Sequence, residues 1–334
     1  MAKVLIVGGA GYIGSSVNAW LIDHGHQTWV LDDLSTGHQE LVLSDGFTLG
    51  RCGDKKVVGP LLEKEQFDCV MHFSAFSLVG ESVENPKKYH ENNVLQTKSL
   101  LELMVDYDVK KFVFSSTCAI FGDPGDQCID ENLEQKPINP YGETKLEVEQ
   151  MLDKFSKEKG FQAVALRYFN ACGAEPKLRV GEWHENETHL IPRILQAACN
   201  DKPIQIYGTD YPTFDGTCVR DYIHVWDLAF AHAAAMDKLL NNESDKGVFY
   251  KYNLGSENGF SVRQIIEATE KVLGKSLTVN KSDRRPGDPP RLVADSMLAK
   301  KELDFIPKFS NVDDIIHSAW KWEQKRLELQ KNRS

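Results

Sequence analysis

Short, wholly apolar runs alternate along this chain with longer segments whose apolar residues recur every three or four positions. Val4-Leu5-Ile6-Val7 is the first run, as expected of a parallel strand buried on both faces. Val17, Trp20 and Leu21 then keep helical spacing, and Gly25 marks that helix's end. Thr28-Trp29-Val30-Leu31 is the next strand and closes on Asp32 and Asp33. From Ser35 to Gly59 neither period is legible. The pattern resumes with Phe67-Asp68-Cys69-Val70-Met71-His72-Phe73, which reads as the fourth strand of a doubly wound sheet. A helix opens at Pro86 and runs through Val94, Leu95, Leu100, Leu101, Met104 and Val105. Phe112-Val113-Phe114 is a further buried strand, and Val164 to Asn170 another. Between them Asn139 supplies a helix cap and Pro140 suits the first turn. Leu146, Val148, Met151, Leu152 and Phe155 carry that helix onward.

Past Asn170 the character changes. Pro, Gly and polar residues dominate from Gly173 to Thr188. Leu190 to Ala198 reads as a helix, Ile204 to Gly208 as a short strand and Trp226 to Leu240 as a helix. Phe249 to Leu254 looks like one more strand of the main sheet, Val262 to Leu273 is helical, and a charged helix runs from Val312 to Leu329. Alternating strands and helices imply an α/β fold: a doubly wound, Rossmann-type parallel sheet with a smaller C-terminal α/β substrate domain. The boundaries expected are 1–170 plus about 218–254 for the dinucleotide-binding unit, and about 171–217 plus 255–334 for the other.

Length and composition agree with that picture. The 334 residues are 41% hydrophobic, enough for a substantial core. A net charge of −10 without a basic block argues against nucleic acid or an anionic membrane as partner. No apolar run is long enough to cross a membrane, and no leader peptide is read at the N-terminus. The seven cysteines are odd in number and contain no Cys-x-x-Cys pair, so no disulfide framework and no metal site is expected, and a cytoplasmic setting fits.

Candidate chemistry sits at the strand ends. Gly8, Gly11 and Gly14 form G-x-x-G-x-x-G directly after the first strand, where glycines let the backbone approach a pyrophosphate at a helix N-terminus. Asp32, ending the second strand, suits a ribose diol and repels a 2′-phosphate, which favours NAD over NADP. Strand, glycine loop, helix, strand and acid in this order are more specific than the glycines alone. Ser74-Ala75-Phe76-Ser77 and Ser115-Ser116-Thr117 follow two further strands, where a crevice opens in such sheets; the same hydroxyls also serve turns. Tyr141 and Lys145 are four apart and share a helix face. An ammonium beside a phenol favours the phenolate, so the pair is a candidate base toward a sugar hydroxyl. Tyr and Lys at this spacing are common, and the company they keep gives them meaning. His72 reads as a packed, hydrogen-bonded histidine. The Arg284-to-Pro290 loop is rigid and basic, suited to a diphosphate or simply solvated.

Assembled, these pieces resemble the UDP-glucose 4-epimerase (UDP-galactose 4-epimerase) family of extended short-chain dehydrogenase/reductases. The resemblance runs from Lys3 to about Asp314. Its markers include Gly8 to Gly14, Val79-Gly80-Glu81-Ser82, Asn92-Asn93-Val94, Phe114-Ser115-Ser116-Thr117, Pro140-Tyr141-Gly142, Arg167-Tyr168-Phe169-Asn170, Tyr207 to Thr213, Arg220 to Val225 and Tyr252-Asn253-Leu254-Gly255. The resemblance implies NAD as a bound prosthetic group and inversion at C4 of a UDP-hexose through a 4-keto intermediate. Tyr141 would be the base, with Thr117 on the 4-oxygen and Lys145 on Tyr141 and the nicotinamide ribose. Cofactor contacts would come from Gly8, Gly11, Tyr12, Ile13, Gly14, Asp32, Phe73, Ser74, Asn92, Asn93, Ser115, Tyr141, Lys145 and Tyr168. The UDP-sugar would meet Thr117, Tyr141, Asn170, His189, Leu190, Tyr207, Arg220, Arg285, Asp288 and Leu292. A homodimer is expected, paired through the stretches Val94–Val105 and Leu146–Phe155.

The chain departs from the family in places. Its acid near the adenine falls at Arg51, or in a shifted register at Asp54; Ser77 stands where some members carry Lys, and Phe121 where Tyr is frequent. Leu292, which the resemblance places beside the sugar 2-substituent, is intermediate in size, and the sequence constrains C6 little, which together leave a UDP-N-acetylhexosamine or UDP-uronate 4-epimerase open. A nucleotide-sugar 4,6-dehydratase would need an acid pair where Cys118-Ala119 follow Thr117. A non-catalytic NAD-binding regulator would be expected to have lost Tyr141 or Lys145, and both are present.

Overall fold

In the computed structural model, residues 1–331 are described apart from 45, 245 and 286. Seven strands form one parallel sheet: β1 (Lys3–Val7), β2 (Gln27–Asp32), β3 (Gly46–Leu49), β4 (Cys69–His72), β5 (Lys111–Thr117), β6 (Gln162–Tyr168) and β7 (Val248–Leu254), in the order β7-β6-β5-β4-β1-β2-β3. The order reverses beside β1, where Val7 pairs with Leu31 of β2 on one side and His72 of β4 on the other. Ligand crevices of doubly wound sheets open at such a reversal, past the C-terminal strand ends.

Successive strand side chains point to opposite faces, and each face is filled by helices. Val4, Ile6, Met71, Val113 and Val164 pack with Val17 and Leu21 of the Tyr12–Asp23 helix and with Leu228 and Met236 of the Val225–Leu240 helix. Leu5, Val70, Phe112, Phe114 and Ala163 face Val58 and Leu62 of the Lys55–Glu65 helix, Leu100 and Met104 of Gln96–Asp106, and Val148 and Leu152 of Pro140–Lys159. All seven residues of β6 are buried.

A second, smaller layer is built from Asn170–Cys172, Val219–His224, Gly259–Ser261 and Arg291–Leu292, with Val219–His224 at its centre. Ile204–Tyr207 and Val279–Ser282 make a separate parallel pair. The Leu190–Cys199, Val262–Leu273 and Val312–Lys331 helices close this half around Ile194, Ile206, Ile265 and Ile315. Assigning everything from about residue 218 to 254 to the nucleotide unit does not match the pairing. Val219–His224 belongs to the small sheet, and the chain returns to the main one only with the helix after it. The reason is Asp221: its buried carboxylate accepts from Ser256 N at 2.8 Å, Glu257 N at 3.0 Å and Ala294 N at 3.2 Å.

The segment without legible period holds β3 and the Lys55–Glu65 helix, with Pro60 inside it. Asp54 caps that helix, accepting from Lys56 N at 2.9 Å. The helix expected from Pro86 arrives in pieces, Pro86–Tyr89, a π turn over His90–Leu95, then Gln96–Asp106. Among the described residues no helix is long and apolar enough to cross a membrane.

Candidate active site

The glycine loop is fixed by contacts too close for a side chain. Gly8 has φ +81°, and a Cβ there would lie 2.5 Å from Ser74 N. On Gly14 it would lie 2.3 Å from the Gly8 carbonyl oxygen, so the helix rests directly on the loop. That helix starts at Tyr12 behind Gly11, whose lack of a side chain leaves the first N–H groups without a side-chain cap. Open N–H groups at a helix start suit an anion. Asp32 accepts from Ala10 N at 3.0 Å and Leu34 N at 2.8 Å, and burial raises its pKa. A carboxylate retains further lone pairs for a ribose diol. The residues present therefore fit a dinucleotide: a cradle that a Cβ would fill, an uncapped helix start and an acid at the end of β2. Gly8→Ala is expected to lower the melting temperature and to abolish retention of NAD, read from the nucleotide released on denaturing the purified protein. Full retention would remove the close approach from the argument.

Two expected contacts are otherwise engaged. Tyr12 donates its hydroxyl to Gly173 O at 2.6 Å, which leaves its backbone at the helix start. Asn93 holds Phe76 by both backbone groups, at 2.9 and 3.0 Å, and reaches Thr144 Oγ1 at 3.1 Å. It thereby ties the loop after β4 to the Tyr141 helix, and Asn92 donates to it at 3.1 Å. His72 accepts from Ser74 N at 3.1 Å and meets Thr97 Oγ1 at 2.8 Å, while burial pulls it down to about 3. It is a neutral brace for the Phe73-Ser74 turn. Phe73 packs against the His232 ring with centroids 4.9 Å apart.

Asn139 caps the Tyr141 helix by accepting from Gly142 N at 2.9 Å, and Pro140 takes its first position. The helix lies against the end of β5, bringing Tyr141 to Thr117. Burial pushes the Tyr141 phenol up to about 12, with a hydrogen bond from Thr117 opposing. Burial pulls Lys145 down to about 7, with the Glu149 charge opposing. Lys145 Nζ donates to Ser115 O at 2.7 Å and lies 5.9 Å from the Tyr141 ring centroid. The acidification of Tyr141 expected from Lys145 does not appear within the protein's own groups, where burial is the largest influence on the phenol. Ser115 also meets the Tyr168 hydroxyl, so β5 and β6 close the floor of the site.

Sequence reasoning missed the support beneath that floor. Glu149 receives a hydrogen bond from Ser116 Oγ at 2.6 Å and a two-pronged bond from Arg167, Nε at 2.9 Å and Nη2 at 2.5 Å. Arg167 has no exposed surface. Glu149 lies one turn beyond Lys145 on the same face; that spacing was the available signal.

The expected UDP residues lie on strands, loops and a helix start of the smaller half. Arg220 and Leu292 are register partners, and Asn170 pairs with Tyr222 on the same central strand. Arg220 is ion-paired with Asp288. The Arg285 guanidinium stacks 4.0 Å from the Tyr207 ring centre, and its hydrogen bond lowers the Tyr207 pKa. Pro286 of the basic loop lies outside the described residues. His189 stands at the residue before the Leu190–Cys199 helix without a side-chain capping bond, and it meets Glu182 and Glu187 carboxylates at 2.8 and 3.0 Å. Asp54 is spent on its helix, and Arg51 lies 3.9 Å from Glu91.

The profile of the NAD dependent epimerase/dehydratase family matches residues 4–255. The chain belongs to this family. Among relatives in this epimerase family, a UDP-glucose 4-epimerase from Halalkalibacterium halodurans is 44% identical over 323 residues, 96% of each chain. A crystal structure of UDP-glucose 4-epimerase from Brucella ovis in complex with NAD superposes with a TM-score of 0.92 at 44% identity, covering 96% of this chain and 98% of that one. The enzyme of the same name from Bifidobacterium longum, solved with NAD+ and UDP, gives 0.90 at 34% identity over 97% of this chain and 99% of that one. The epimerase profile ends at Gly255, just past β7, so it takes in the whole main sheet.

Proposed function

We propose that this chain inverts C4 of a UDP-hexose and interconverts UDP-galactose and UDP-glucose with NAD held throughout the cycle. The observation that carries this reading is Tyr141 beside Thr117 at the end of β5, backed by buried Lys145, at the crevice of a family dehydrogenase sheet. Bound NAD supplies the hydride acceptor and donor for C4 and, in its oxidised form, a positive charge that favours the phenolate. Tyr141 takes the proton from the 4-hydroxyl and later returns it. Thr117 hydrogen-bonds the 4-oxygen and relays that proton. Lys145 is held close behind by Ser115 O, where its charge adds to the field on the phenol.

Asn170, His189, Leu190, Tyr207, Arg220, Arg285 and Asp288 anchor the UDP. The Arg285–Tyr207 stack offers a flat edge to the uracil, and the two arginines face the diphosphate. Binding energy at the nucleotide is remote from C4, so the sugar can turn over in the site without loss of the complex. Half-buried Leu292, in register with Arg220, sets the width beside the sugar.

Purified protein with no NAD added is expected to convert UDP-galactose to UDP-glucose. No conversion, with NAD shown to be bound, would sink this reading; rapid turnover confined to UDP-N-acetylgalactosamine would replace it with an N-acetylhexosamine 4-epimerase.

A homodimer paired through the helices around Val94–Val105 and Leu146–Phe155 is part of the same proposal, supported by the apolar residues on their outer surface. Leu95 and Val83 are exposed, and Pro86, Leu95 and Pro140 line a cleft between the Pro86–Asp106 run and the Tyr141 helix. A cytoplasmic location is favoured by the seven cysteines, all free.

A further inference from the structure

The segment between the two layers carries Glu182, His184, Glu187 and His189, a Glu-x-His-x-x-Glu-x-His spacing. One donor atom from each lies within 4.8 Å of the other three. His189 Nδ1 is 2.8 Å from Glu182 Oε1 and 3.0 Å from Glu187 Oε1. His184 Nδ1 is 3.1 Å from Glu187 Oε2 and 3.5 Å from Glu182 Oε1. A tetrahedral ion with bonds of about 2.0–2.1 Å has edges of about 3.3 Å between its donors. The four histidine–carboxylate separations, 2.8 to 3.5 Å, bracket that length, and all four donors lie within 4.8 Å of one another. We propose that Glu182, His184, Glu187 and His189 form a binding site for a divalent cation of the zinc class.

A second observation points the same way. Glu182 is 8% exposed, and its Oε1, turned into the cluster, makes no hydrogen bond of acceptable geometry. That oxygen lies 2.8 Å from His189 Nδ1 without a well-directed hydrogen bond to it, and a cation seated among the donors would satisfy both. Charge also closes: two carboxylates and two neutral imidazoles balance one divalent ion. Imidazole with carboxylate selects zinc-like ions over magnesium or calcium. The negative field reaches outward, since Glu182 adds to burial in raising the pKa of both Tyr12 and Cys172. Arg326, the neighbouring cation, is occupied by Glu323 through two contacts of 2.7 Å.

Four protein donors make a closed site, which is structural in character. It would pin residues 182–189 at the start of the Leu190–Cys199 helix. Trp322 Nε1 already secures the Glu182 carbonyl at 2.8 Å, so the ion would join this segment to the C-terminal helix.

The competing state is two imidazolium–carboxylate pairs. Burial pulls both imidazoles down, and the two carboxylates more than reverse it, to about 9 for His184 and about 10 for His189. Cobalt separates the two states. Untagged full-length protein, dialysed against EDTA, is titrated with CoCl2 and then with ZnCl2. Expected are the visible bands of four-coordinate cobalt, saturating at one equivalent, and their loss on adding zinc. His184→Ala and the isosteric Glu182→Gln should each abolish the bands. Absence of bands in the parent protein overturns the proposal without reference to any variant. So does a spectrum that survives both substitutions.

Discussion

Tyr141→Phe is expected to keep NAD bound and to lose turnover of UDP-galactose by about a thousandfold, within the range ascribed to a positioned acid–base group. The hydroxyl is the only atom removed, and the ring keeps its place beside Thr117. The two polar neighbours at this point of the sheet are otherwise placed. Thr117 has an alcohol that cannot ionise near neutrality, and Lys145 Nζ is engaged in a 2.7 Å hydrogen bond to the Ser115 carbonyl. The cradle for the dinucleotide lies at Gly8 to Gly14 and Asp32, away from the phenol, which is why cofactor content and kcat should separate. Measuring both on one preparation is the check. A near-normal kcat would take Tyr141 out of the chemistry, and lost NAD would make the variant a folding defect.

Arg167→Met is the second large effect, and it concerns stability. Removing the guanidinium leaves Glu149 buried with Ser116 Oγ as its remaining hydrogen-bond donor among the described residues. Breaking one side of a buried pair costs about 3–5 kcal/mol. Replacing both partners, Arg167→Met with Glu149→Leu, removes the stranded charge, and most of that loss should return. Guanidinium denaturation midpoints of the parent, the single and the double variant provide the comparison. A single variant as stable as the parent would mean that Glu149 finds another partner or a proton. Because the Glu149 charge opposes the downward pull on Lys145, the double variant should also impair activity while it regains stability.

The long strands and the helices covering them were legible because each apolar run or helical stripe was strong enough to stand alone. The Lys55–Glu65 helix was hidden by its lysines and by Pro60, and it depends on the Asp54 cap and on packing against the sheet. The smaller layer was hardest to read. Its strands Asn170–Cys172 and Gly259–Ser261 have three residues each, too few to show a period, and Asp221 sets their arrangement from far away in sequence. At the site, spacing marked Tyr141 and Lys145 and strand-end position marked the Ser115-Ser116-Thr117 hydroxyls, while their roles came from the family resemblance. The balance of burial against charge was not legible, since desolvation is a property of what packs around a residue. The Glu182-to-His189 spacing is visible in the sequence, but only the fold of that segment brings the two carboxylates and two imidazoles together.

β6 is buried along its whole length because β7 covers its outer edge. That cover is encoded far downstream, beyond the entire crossing into the second layer and back. During synthesis the ribosome therefore releases β6 long before Val248–Leu254 exists. For that interval the nascent chain carries a bare, apolar strand edge, the kind that recruits other chains. Translation speed through residues 169–254, and chaperones waiting at the exit tunnel, bear on the yield of this enzyme as directly as the stability of its finished core.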